Sequence, residues 1–259
     1  VYDEGMKHSV RRFGIIVAAV IGVLGALNFL RPLPQITASA ASLTTKLGAP
    51  TLTWPTAGQA AVGAAGYGVL GQSSEQTQLA TASVAKIIDA LTILKAKPLG
   101  VGEQGPTITI TPADVQIYNN YVAEDGSVVA VTAGEQITEY QALQAMLLPS
   151  ANNIADSLAI WAYGSMSAYQ TAATSYINSI GLTDTTIGSD ASGYSPDTVS
   201  TSPDLVRLGE AAMQNPVVAQ IVGQTSAELP NVGTVYNVDA VIGQDGIVGI
   251  KTGNNDQDT

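Results

Sequence analysis

The sequence predicts a mixed α/β domain, a sheet flanked by helices with a helical subregion, and three observations lead there. Helical periodicity recurs through the middle of the chain, from Ser83 to Met213. Strand-like segments stand before it, between Ala60 and Leu70, and after it, between Ile247 and Gly253. An apolar content of 46% in 259 residues is enough for a substantial buried core.

The elements follow in order. Phe13 to Leu30 is a run of eighteen residues without a formal charge, bounded by Arg11-Arg12 and Arg31, just long enough to span a bilayer. Lys7, Arg11 and Arg12 precede it, so the positive-inside rule puts residues 1–12 in the cytoplasm and everything after Arg31 outside. Residues 13–30 are therefore expected to be a single-pass anchor. The competing reading is a secretory signal cut near Ala38-Ser39-Ala40, which has the small-x-small form of a cleavage site. Residues 31–58, rich in Pro, Ala, Ser, Thr and Gly, read as a linker, and residues 59–259 as the folded domain.

Within the domain, Ala60 to Leu70 suits a strand or hairpin. Val84, Ile87, Ile88, Leu91 and Leu94 recur at helical spacing, so a buried helix begins near Ser83. Thr107 to Thr111 alternates like a strand, and Thr111-Pro112 with Asp114 supplies an N-cap, an N1 proline and an acidic first turn for the next helix. Thr138 and Gln141 form a capping-box pattern ahead of Leu143, Met146, Leu147 and Leu148. Pro149-Ser150 interrupts that stripe, and Ile154, Ala155, Leu158 and Trp161 resume it. Ser202-Pro203-Asp204 opens a further helix through Met213.

Composition removes several classes of chemistry. The chain has no cysteine, which excludes disulfides, thiolate nucleophiles and Cys-based metal sites. Its one histidine, His8, belongs to the basic N-terminal flank, so a His-dependent triad or zinc site is excluded for the domain. A net charge of −11 argues against nucleic acid as a partner.

Three short motifs stand in order: Ser83-Val84-Ala85-Lys86, Ser150-Ala151-Asn152 and Lys251-Thr252-Gly253. Singly they are weak, since this composition yields Ser-x-x-Lys about 0.4 times, Ser-x-Asn about 0.8 times and Lys-Thr-Gly about 0.06 times by chance. Their contexts carry more weight: a helix N-terminus, a break between helices and a predicted strand. A serine hydroxyl needs an adjacent base to act as a nucleophile near neutral pH, and a neutral lysine can serve. Spacing i, i+3 on a helix puts Lys86 one turn from Ser83 on the same side. Burial and a second cation, which Lys251 can supply, both disfavour the ammonium form of Lys86. The Ser150 hydroxyl can donate and accept, as a proton relay must, and the Asn152 amide can orient Lys86 and a substrate backbone together. At a helix N-terminus the backbone N–H of Ser83 is available to an oxyanion.

These motifs resemble the active-site set of the penicillin-recognising serine enzymes, and most closely that of the low-molecular-mass D-alanyl-D-alanine carboxypeptidases. The likeness extends through Gly134-Glu135-Gln136, Leu147-Leu148-Pro149-Ser150-Ala151-Asn152-Asn153, Gly181-Leu182-Thr183-Asp184, Asp190, Ser192-Gly193 and Gly246-Ile247-Val248-Gly249-Ile250-Lys251-Thr252-Gly253, and covers about residues 50 to 256. It implies a DD-peptidase/β-lactamase-like fold with an antiparallel sheet. It also implies that Ser83 attacks the carbonyl of a D-Ala-D-Ala terminus, Lys86 takes the proton and Ser150 passes one to the departing D-alanine. Asn152 would hold the substrate amide, and Lys251, Thr252 and Gly253 would form the strand edge at the terminal carboxylate. The backbone N–H groups of Ser83 and Asn254 would form the oxyanion hole. The implied partners are peptidoglycan stem peptides and, as covalent inhibitors, β-lactams; no metal or organic cofactor is implied. The family completes its sheet with strands and a helix beyond Lys-Thr-Gly, so the resemblance also implies a domain truncated at Thr259.

Two other readings stay open. A class A-like β-lactamase shares the serine chemistry but needs a deacylating glutamate between the second and third motifs. Glu210, ahead of Asn215, has the wrong spacing for it, and Ser-Ala-Asn stands where Ser-Asp-Asn is usual. A non-catalytic protein that binds penicillin or cell wall is the other. Tyr118, Asn119, Asn120 and Tyr121 suit a cleft wall or a surface loop equally and receive no role.

Overall fold

The computed structural model describes residues 2–29 and 52–254. They fall into two units that divide after residue 50. The first holds one helix, α1 (Tyr2–Phe29). Among the described residues no helix is long and apolar enough to cross a membrane. The anchor expected over residues 13–30 is therefore not supported. Leu30, the last residue of that expected segment, lies outside the described residues. Most of the expected linker, and Ala38 to Ala40 with it, also lies outside them.

The second unit is mixed α/β. Its described strands form four antiparallel ribbons: β1 (Ala61–Ala64) with β2 (Gly68–Gln72), β3 (Leu79–Ala80) with β6 (Val199–Ser200), β4 (Thr107–Thr109) with β5 (Gln136–Thr138), and β7 (Ser226–Leu229) with β8 (Gly233–Tyr236). The hairpin expected near Ala60 to Leu70 is β1–β2. Among the described residues no ladder forms over residues 247–253, where a strand is expected: Ile247 exchanges backbone bonds with Gly243 and Gln244 in a turn, and a strand exists only through its pairing.

The helices are α2 (Ala85–Ala96), α3 (Pro112–Ala123), α4 (Glu139–Leu147), α5 (Asn152–Tyr163), α6 (Met166–Ser179), α7 (Ser202–Gln214) and α8 (Pro216–Val222). Every residue of α2 from Ala85 to Leu94 is buried, as in a helix enclosed by others, and α4, α5, α6 and α7 pack around it. Ile87, Ile88, Ile93, Leu143, Met146, Leu158 and Ile177 are among the large side chains of this core.

Local chemistry sets the helix ends that matter for the site. Thr111 and Asp114 form a reciprocal capping box at the start of α3, and Thr138 and Gln141 form another at the start of α4. The α4 helix stops at Leu147, and α5 starts at Asn152, so Ser150 stands in the break. The β3–β6 ribbon continues into a bond from Thr81 N–H to the Thr198 carbonyl, which ties the approach to Ser83 to the segment ahead of α7.

Candidate active site

Ser83 lies in a 3-10 turn, Ala82–Val84, that leads directly into α2. This turn is strained at Ala82, whose φ of 46° lies in the left-handed region that side chains disfavour. Ser150 has a φ of 65° and shares that strain. Conformations of this kind persist only where the surroundings over-determine them, and both flank the same cleft.

Lys86 follows one turn later and is fully buried. Its Nζ donates to Ser83 Oγ at 2.9 Å, to Asn152 Oδ1 at 2.7 Å and to the Ser192 carbonyl at 2.9 Å. These three acceptors use the three donors of an ammonium and fix its position. Burial, and then the charge of Lys251, push the Lys86 amine down to about 7, against smaller opposing effects of Asp190, Asp156 and Asp89. A substantial neutral fraction therefore exists near neutral pH. In that form the bond to Ser83 reverses, with the hydroxyl donating to the amine.

Ser83, Ser150, Asn152, Thr252 and Asn254 line one cleft of about 670 Å³, and Lys86 sits beneath it. Ser150 is 5% exposed, and its Oγ has no hydrogen-bond partner among the described residues. A buried hydroxyl left unpaired is costly in a resting protein but suits a group that exchanges protons with a ligand. Lys251 is half-buried, donates to the Thr252 carbonyl at 3.0 Å and is lowered to about 8 by its burial, with Asp239 opposing. Gly253 explains how this segment comes so close to the nucleophile. A Cβ there would lie 2.9 Å from the Thr81 carbonyl oxygen and 3.3 Å from Ala82 Cβ, so only a glycine lets the backbone rest against the Ser83 turn.

The structure thus brings all eight expected residues to one region: Ser83, Lys86, Ser150, Asn152, Lys251, Thr252, Gly253 and Asn254. It also supplies groups that received no role from the sequence. The Ser192 carbonyl is the third anchor of Lys86, and Gly193 presses on the Ala82 carbonyl from the same turn. Asp190 shapes that turn by accepting from Ser192 Oγ, Gly193 N–H, Tyr194 N–H and Ser195 N–H. The only advance signal was the Asp190-x-Ser192-Gly193 string itself. Tyr121 lies on α3, not in a loop. Its hydroxyl donates to Asp156 Oδ2 at 2.7 Å, and its ring meets Tyr194 edge-on at 5.3 Å. Asp156 also accepts from Ala191 N–H at 2.9 Å, and burial raises it to about 6. Glu210 bonds to the Gly66 N–H on the β1–β2 hairpin and takes no part in the cleft lining.

A serine hydrogen-bonded to a buried, low-pKa lysine at a polar cleft is the arrangement that serine acyl transfer of the Ser-x-x-Lys kind requires. The family model for D-alanyl-D-alanine carboxypeptidases matches residues 57–258, and the chain belongs to that family. A solved D-alanyl-D-alanine carboxypeptidase from Mycobacterium tuberculosis is 28% identical, with a TM-score of 0.64 over 76% of this chain and 72% of its own. The DD-transpeptidase of Streptomyces K15, at 23% identity, shares the fold with a TM-score of 0.68 over 79% of this chain and 83% of its own. No curated protein matches the chain.

Proposed function

We propose that the chain removes the terminal D-alanine from peptidoglycan stem peptides through an acyl-enzyme on Ser83. The observation that carries this reading is the 2.9 Å contact between Lys86 Nζ and Ser83 Oγ, made by an amine that is partly neutral near pH 7. Ser83 Oγ attacks the carbonyl carbon of the penultimate D-alanine as its proton passes to Lys86 Nζ. The backbone N–H groups of Ser83 and Asn254 receive the oxyanion. Lys251 and Thr252 hold the terminal carboxylate, for which a cation and a hydroxyl are matched partners. The C–N bond then breaks, and Ser150 relays a proton from Lys86 to the departing amine. Water attacks the remaining ester with its proton taken by Lys86, the acyl C–Oγ bond breaks as Lys86 returns that proton to Ser83 Oγ, and the shortened peptide leaves. A β-lactam follows the same first step and stays on Ser83 as an ester.

The site of action is outside the cytoplasmic membrane, where this substrate is found. Exposed Phe13, Ile16, Ile21 and Leu24 on α1 support attachment to that membrane, the alternative being release after cleavage near Ala40. Fractionation of cells with and without residues 13–30 separates the two.

The direct test is D-alanine release from a synthetic stem pentapeptide. Release that Ser83→Ala abolishes is expected. Release that survives Ser83→Ala would overturn the acyl-enzyme.

A further inference from the structure

The wall of the cleft next to Asn152 is acidic. Glu124 and Asp125, in the turn after α3, line the same cleft as Ser83. Both are exposed, and neither carboxylate has a hydrogen bond or ion pair to another described residue. The turn itself is held firmly. The Glu124 carbonyl accepts from the Tyr194 hydroxyl at 2.6 Å, Gly126 N–H donates to the Tyr121 carbonyl at 2.8 Å, and Asn152 N–H donates to the Ser127 carbonyl at 2.7 Å. A Cβ on Gly126 would lie 2.9 Å from Asn152 Nδ2, so the turn rests against that amide. Asn152 gives its Oδ1 to Lys86, while its Nδ2 makes no hydrogen bond to a described residue and is available to a substrate carbonyl. The buried, unpartnered Ser150 hydroxyl marks the same cleft as built for a polar ligand.

The order of a bound stem peptide follows, resting on the function proposed above. The terminal carboxylate goes to Lys251 and Thr252, and the carbonyl of the penultimate D-alanine goes to Ser83. The preceding residue, the third of the stem, then lies at Asn152, with its side chain beside the Glu124–Asp125 turn. The geometry points to Glu124 and Asp125 as specificity residues that favour stem peptides whose third residue is a diamino acid with a free, cationic side-chain amine. In a cross-linked stem that amine is acylated and uncharged. The same two carboxylates therefore favour monomeric stems over cross-linked ones, which is a preference for carboxypeptidase over endopeptidase substrates.

The test compares two synthetic stem pentapeptides, one with a free amine on the third residue and one with that amine acetylated, in D-alanine release by the full chain. Exposed ion pairs are individually weak, so the expected kcat/KM ratio in favour of the free amine is roughly three- to tenfold at low salt. It falls as ionic strength rises. In the Glu124→Gln/Asp125→Asn variant the ratio falls to about one, and in Glu124→Lys/Asp125→Lys it inverts. Asn tolerates the left-handed backbone at Asp125, whose φ is 55°, so the first variant leaves the turn unstrained. Equal turnover of both peptides by the unmodified chain, or a ratio that the first variant leaves unchanged, would overturn the inference while the acyl-enzyme stood. No release from either peptide, with no penicillin adduct on Ser83, would overturn the proposed function and this inference with it.

Discussion

Lys86 Nζ and Ser83 Oγ lie 2.9 Å apart, and the same amine is held by Asn152 Oδ1 and the Ser192 carbonyl. A charged lysine in this position only donates to the serine; a neutral one can take its proton. On the proposed mechanism, the pH at which Lys86 loses its charge sets the lower limit of activity.

Lys86 is lowered to about 7 and Lys251 to about 8, so kcat/KM should rise with pH through about 7 and fall above about 8 as the carboxylate-binding charge is lost. In Lys251→Ala a cation that depresses Lys86 is gone. The acid limb should move to higher pH, the basic limb should disappear, and substrate binding should weaken. Rates of penicillin acylation across pH 5 to about 10 would show it. An acid limb that stays in place would mean that Lys251 does not govern Lys86.

Gly253→Ala forces a Cβ to within 2.9 Å of the Thr81 carbonyl oxygen, a backbone atom that cannot swing aside. Either the Ser83 turn or the Lys251–Asn254 segment must shift. Misplacing reacting groups by about 1 Å costs on the order of a hundredfold, so acylation should slow by about ten- to a hundredfold with little change in melting temperature. Stopped-flow acylation together with thermal melts would check both halves.

Asp89 is fully buried one turn beyond Lys86. The Tyr169 hydroxyl stands near it, but neither carboxylate oxygen is in hydrogen-bond geometry with any described residue. Burial raises its carboxyl well above the usual range, with the charge of Asp156 adding to the effect. A carboxyl raised on folding contributes stability that is complete below its unfolded pKa of about 3.9 and is lost as pH climbs toward the folded value. Asp156, raised to about 6, and Glu139, raised to about 7, act in the same direction. Between pH 5 and about 8, Asp89→Asn should therefore lose less melting temperature than the unmodified chain, because the other two groups are common to both.

Thr138→Ala removes the hydroxyl that accepts from Gln141 N–H at the start of α4. The expected cost is about 1 kcal/mol in denaturant unfolding, with the pH profile of acylation unchanged because the cap is remote from the cleft residues.

Features fixed by local chemistry were legible in the sequence. Both capping boxes, the start of α2 near Ser83, the break at Ser150 and the opening of α7 at Ser202 depend on residues within one turn of each other. The i, i+3 relation of Ser83 and Lys86 is of the same kind. The Ser192 carbonyl reaches Lys86 across 106 positions, and Asp156 meets Tyr121 across 35, and no local pattern announces such meetings. Tyr121 suited a loop as well as a cleft wall because the α3 sequence Gln116 to Tyr121 is polar and aromatic, with no clear apolar stripe. The segment Ile247 to Gly253 reads as a strand candidate, yet pairing is decided by a neighbour and not by propensity.

The measurement closest to the central claim is the intact mass of the chain after exposure to penicillin, followed over time, with Ser83→Ala alongside. The account predicts one penicillin per chain, slow to leave and absent from Ser83→Ala. An adduct that persists in Ser83→Ala, or no adduct and no penicillin hydrolysis by the folded chain, would contradict it.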